Sequence, residues 1–125
     1  MPEKSDSFES LWCDTAKEWR AWLEQHSSSA RELWLEFLRA PIRKKRALEH
    51  QGPSYQDALD EALCFGWIDI SVKKIDDERY AQKFVPRKNP LKWTATNIAR
   101  FKYMESQGKM TARGRAAISP ELLED

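Results

Sequence analysis

Apolar residues recur along this chain with two different periods, and the places where the period changes mark out its elements. Asp14 or Thr15 can cap a helix, since Ala16, Trp19, Trp22, Leu23 and His26 then follow at helical spacing with charges between them. Three serines, 27 to 29, end it. In ELWLEFLR (32–39), Leu33, Leu35 and Phe37 alternate with Trp34, Glu36 and Leu38 as in a strand buried on both faces. Its Glu, Leu and Arg content leaves a helix as the alternative. IRKKRAL (42–48) follows Pro41 and reads as a solvated basic helix or loop.

SYQD (54–57) offers a serine cap with an acid three residues on. The helix it starts carries Tyr55, Ala58, Leu59, Ala62 and Leu63 as one apolar stripe, and Gly66 supplies the left-handed residue that commonly closes a helix. Then the period drops to two. Ile68, Ile70 and Val72 alternate with Trp67, Asp69, Ser71 and Lys73, so the branched residues are expected to face the helices and the others solvent. DDE (76–78) makes a turn, giving a hairpin with strands near 67–74 and 79–86 that Pro86 stops. Thr94 can cap a helix that carries Ile98, Phe101 and Met104 inward and ends at Gly108, and Thr111 caps a shorter one through Ile118. The ends, about 1–8 and 119–125, are expected to be mobile. The pattern predicts one α+β domain over 1–125, with helices packed on a small antiparallel sheet that contains a β-hairpin.

Composition changes this picture little. A chain of 125 residues builds one core, and six tryptophans make that core or one surface unusually aromatic. The net charge of +1 argues against nucleic-acid binding by bulk electrostatics, while leaving room for a local basic patch. Cys13 and Cys64 lie far apart with no CxxC spacing, which points to free thiols rather than to zinc or a disulfide framework, and no cofactor is expected. No apolar run is long enough for membrane insertion, and the polar start MPEKSDSFES leads us to expect a cytoplasmic protein; the oligomeric state is left open.

Four stretches, SYQDALDEALCFGWID, RYAQKFVPRK, KWTATNIARF and QGKMTARGRAAI, resemble in order and spacing the bacteriocin-protection family, also called YdeI/OmpD-associated proteins. The resemblance spans about 8–118 and is densest from 54 to 118. Two departures stand out: LRAPIRKKRALEHQG displaces a lysine pair usual after the first strand, and the C-terminal helical region of longer members is missing. The resemblance implies protection against bacteriocins or cationic peptides and association with a porin. It implies no catalytic residues.

The chemistry read from the residues is that of a binding surface. Cys64, near the C-terminal end of its helix, where the dipole disfavours a thiolate, reads as a buried small hydrophobe. Asp69 belongs to the polar face and is expected to pair with Arg87 or Lys83 across the hairpin. With Trp67, Lys73, Arg79, Tyr80, Arg87, Trp93, Asn97 and Arg100 it forms the candidate site, where arginine forks and aromatic faces would recognise an anionic ligand or a protein partner. A nucleic-acid-binding module using the basic and aromatic residues of 79–102 is the alternative, and an enzyme of unknown reaction the third reading, since no metal cluster, phosphate loop, nucleophile elbow or acid pair is visible.

Overall fold

The computed structural model describes residues 9–124. Four strands, β1 (Ser10–Leu11), β2 (Leu33–Leu38), β3 (Trp67–Lys74) and β4 (Arg79–Pro86), form one mixed sheet in the order β1-β2-β4-β3. The helices are α1 (Ala16–His26), α2 (Ala40–Arg43), α3 (Tyr55–Leu63), α4 (Ala95–Ser106) and α5 (Ala112–Ala116), with 3-10 turns at Leu48–His50 and Pro120–Leu123. This is the expected α+β arrangement with its hairpin, β3–β4. One detail differs: two-residue β1 joins β2 in parallel, so the sheet is mixed rather than wholly antiparallel.

Local chemistry sets the element ends. Thr15, Ser54, Thr94 and Thr111 each accept a backbone N–H of the first turn, at Glu18, Asp57, Asn97 and Gly114, where the helix has no partner of its own. Gly66 turns out of α3 at φ +77°, the left-handed conformation that favours glycine. Asp76 shapes the hairpin turn by accepting from the backbone N–H of Glu78 and Arg79, at 2.8 and 2.9 Å, which holds its carboxyl below the ordinary carboxylate range. ELWLEFLR resolves as strand: β2 sits between two neighbours and keeps Leu35, Phe37 and Leu38 dry. IRKKRAL divides among the end of α2, a short loop and, at Leu48, the start of the first 3-10 turn.

The core gathers Trp19 and Leu23 of α1, the inner face of α3, Leu35, Phe37 and Phe84 of the sheet, and Phe101 and Met104 of α4. Trp67 is in it too, fully buried, with its indole N–H donating to the Ser27 carbonyl at 3.2 Å. This overturns the expected facing of β3. Trp67 buries more apolar area than any branched residue near it, so before the bulge the strand turns Trp67 and Asp69 to the core side and Ile68 and Ile70 away from it; Ile70 is 57% and Val72 65% exposed. The alternation also does not run through. Between Asp69 and Ser71 the register with β4 slips by a β-bulge, Asp69 opposing Phe84 and Ser71 opposing Lys83.

Two acids, Asp60 and Glu61, are buried in α3. Asp60 receives Arg100 of α4, through both Nε (2.9 Å) and Nη2, and the Gln56 amide at 3.0 Å. Glu61 receives Arg20 of α1 at 2.8 Å. The Asp60 bond holds the Arg100 guanidinium above its ordinary pKa, and Glu61 does the same for Arg20 against the opposing effect of burial. Leu122 and Leu123 of the last 3-10 turn pack on the core; of the ends expected to be mobile, residues 1–8 and 125 lie outside the described residues.

The corner between α3 and β3 is closed by α5. Thr111 donates both its N–H and its hydroxyl to the Cys64 carbonyl, and Gly114 lies against the same peptide. Cys64 is fully buried, and burial pushes its thiol up to about 11, with Arg20 acting in the opposite direction. A thiol whose pKa stands near 11 is far less ionised at neutral pH than a free one, so a thiol reagent should label Cys64 on the order of a hundredfold more slowly in the native protein than in denaturant. Fast native labelling would overturn the assignment of Cys64 to the core. The unfolded chain gives up this proton near 9.0 and the folded one near 11, so the folded state binds more protons between them and stability should fall as pH rises through that window.

Candidate functional site

The outer face of the hairpin, away from α1 and α3, is the floor of an open cleft of about 930 Å³. Ile68 and Ile70 come from β3, and Lys83, Val85 and Pro86 from β4. The bulge matters here: the extra residue at 70 keeps Ile70 over the floor beside Ile68, while the following Val72 passes to the other side opposite Gln82. Ala30, Arg31 and Glu32, which lead into β2, contribute one margin, and the β4–α4 connection contributes another.

That connection is fastened at several points. The Arg87 N–H donates to the Gly66 carbonyl at 2.8 Å, tying the end of β4 to the start of β3. The Asn89 side chain accepts the Leu91 N–H at 3.0 Å. Trp93 meets Phe101 edge-on at 5.8 Å and donates its indole N–H to the Ala117 carbonyl at 3.1 Å, so its body belongs to the core and one ring face is left outward. On that face lies the Arg87 guanidinium, 4.0 Å from the ring centroid, with Nη2 donating to the Lys92 carbonyl. Thr94 then caps α4, whose first turn brings Asn97 to the rim.

The charges at this cleft are unbalanced. Arg31, Lys83, Arg87, Lys88 and Lys92 line it against Glu32 alone, and Glu32 is engaged with Lys83 at 3.1 Å. Among the described residues, no carboxylate pairs with Arg31, Arg87, Lys88 or Lys92. Arg87 Nε is buried with no hydrogen-bond partner, and burial without a counter-charge lowers the pKa of this guanidinium. An anion placed here would relieve that desolvation. Beyond Arg87, a smaller cavity of about 360 Å³ continues past Gly66 to Arg113.

Of the residues singled out from the sequence, three meet in the cleft: Arg87, Trp93 and Asn97. The others are elsewhere. Trp67 is core. Asp69 does not pair with Arg87 or Lys83; its carboxylate accepts the Tyr55 hydroxyl at 2.9 Å, and that contact, after burial, pushes the phenol up to about 12. Lys73 sits near the hairpin turn, opposite Ala81. Arg79 is held by Glu36 at 2.7 Å and lies over Trp12, while Tyr80 stacks on Phe37 at 5.4 Å. Arg100 is the partner of Asp60. Arg100→Met should therefore cost about 2 kcal/mol of stability, less than breaking a fully buried pair costs because the arginine itself is partly exposed, and it should leave anion binding at the cleft unchanged; chemical denaturation beside a ligand titration measures both.

The sequence reading missed Arg31, Lys92 and the two isoleucines as site residues. Nothing local marks Arg31, which stands more than fifty positions from Arg87. The isoleucines carried a signal that was misread: a hydrophobic alternation shows that a strand has two unlike faces, not which face is covered.

Among the described residues no group of three or more His, Cys, Asp or Glu side chains could hold a metal ion, and none of the described helices is long and apolar enough to cross a membrane. A family model described as a domain of unknown function, DUF8412, matches residues 11–117. No curated protein and no solved structure matches the chain.

Proposed function

The chain belongs to the DUF8412 family of domains of unknown function, and from that premise we propose that it is a small cytoplasmic binding module that recognises an anionic ligand in the cleft between the hairpin and the β4–α4 connection. The observation that carries this reading is the surplus of cations there: among the described residues Arg31, Arg87, Lys88 and Lys92 have no carboxylate partner, although the chain as a whole is close to neutral. Such a local surplus attracts anions even where net charge does not. Arg87 is the central group, because Trp93 and the Lys92 carbonyl hold its plane fixed before any ligand arrives. The two free thiols, Cys13 and Cys64, fit a reducing compartment.

A nucleic-acid-binding role has less support, since Arg79 and Arg100, two of the cations it would use, are held by Glu36 and Asp60. Protection against cationic peptides by direct capture is disfavoured at this cleft, whose charges would repel them. Titration of pyrophosphate into the protein, followed by backbone and indole NMR shifts, tests the proposal. Shifts should concentrate at Arg87, Trp93 and Asn97, and Arg87→Gln should weaken binding about tenfold through loss of a charge-assisted contact. Shifts scattered over the surface, or unchanged affinity in Arg87→Gln, would overturn it.

A further inference from the structure

The cleft is more than a cluster of cations. Its floor is aliphatic and wet: Ile68, Ile70 and Val85 form it, and Ile70 is 57% exposed. A small inorganic anion would satisfy the guanidinium and ammonium groups and leave that floor uncovered. The cations also come from two separate segments, Arg31 ahead of β2 and Arg87, Lys88 and Lys92 after β4, rather than converging from one loop. This arrangement suits a ligand with spaced negative charges and an apolar body between them.

We infer that the cleft receives an extended acidic peptide segment of a partner protein, its carboxylates meeting Arg31, Arg87 and the lysines of the β4–α4 connection while an aliphatic side chain covers Ile68, Ile70 and Val85. The inference rests on the anion-binding reading above and narrows it to one ligand class. Three observations favour this occupant. First, the cleft is an open groove across a sheet face, which would leave a compact small molecule half in water, whereas a chain can run along it. Second, the platform is aliphatic. The one indole in the lining, Trp93, has a face covered by Arg87 and its ring set edge-on to Phe101, so bases would find little aromatic surface to stack on. Third, the protein's own acidic and aliphatic segment is engaged elsewhere: Leu122 and Leu123, between Glu121 and Glu124, pack on the core, so the tail of a second copy is not free to enter.

The test uses the intact chain and five probes: a synthetic peptide of alternating glutamate and leucine, its glutamine–leucine and glutamate–serine counterparts, pyrophosphate and an oligothymidylate. Methyl shifts of Ile68 and Ile70 and the Trp93 indole shift report binding at the cleft. The glutamate–leucine peptide should bind about tenfold more tightly than either counterpart, because each lacks one of the two contacts. Ile70→Ser, at an exposed position, should keep the denaturation midpoint and the pyrophosphate affinity while weakening the glutamate–leucine peptide several-fold. If pyrophosphate or oligothymidylate moves these signals but the glutamate–leucine peptide binds no better than the glutamate–serine one, the peptide proposal falls and anion binding stands. If no probe moves them, both fall.

Discussion

Trp67→Ala should destabilise the protein by about 4 kcal/mol, in the range found for emptying a buried aromatic site. Its indole is fully buried, meets Trp22 edge-on at 5.8 Å and gives its N–H to the Ser27 carbonyl, so alanine would leave a cavity and strip a buried carbonyl of its donor. The informative control is three positions along the same strand. Ile70→Ala should cost less than about 0.5 kcal/mol, because its side chain is mostly in water. Urea denaturation of both variants decides which face of β3 is inside; equal costs, or a larger one at Ile70, would contradict the facing seen here.

Gly114→Ala should cost about 3 kcal/mol, toward the upper end for overpacking. A methyl group there would stand 2.4 Å from the Cys64 carbonyl oxygen and 2.5 Å from the Met110 sulfur. The methionine can move aside, but the Cys64 peptide cannot, since Thr111 holds its oxygen and Gly66 turns the chain two residues later. The fault therefore spreads to the α3–β3 corner. Gly108→Ala is the contrast: nothing lies within 4 Å of the added methyl, and only the strain of φ +76° remains, about 1 kcal/mol. A thermal shift for Gly114→Ala no larger than for Gly108→Ala would show that α5 does not need this close approach.

These positions also show what was legible in the chain. Helix starts were, because a capping side chain and the N–H it accepts lie three residues apart: Thr15, Ser54, Thr94 and Thr111 all cap where a reader of the sequence would place them. The limits of β3 and β4 were legible too, from Gly66, the Asp76 turn and Pro86. What depends on distant partners was not. Whether Trp67 or Ile68 points inward is decided by where α1 lies, and the bulge at Ile70 leaves no mark in the alternation. Arg100 reads as a free cation until Asp60, forty positions earlier, is brought to it. The cleft suffers most from this, since Arg31 and Arg87 become neighbours only when β2 and β4 pair.

The two buried acids of α3 do something that two separate ion pairs would not. Successive residues on a helix point about 100° apart, so Asp60 and Glu61, anchored by Arg100 and Arg20, are held by α4 and α1 from different directions. A helix gripped on one bearing can still roll; one gripped on two cannot. The rotational setting of α3 is thereby locked. With it is locked the angle at which the chain leaves the Gly66 corner, so these carboxylates, remote from the cleft, act as an alignment device for the strand that forms its floor.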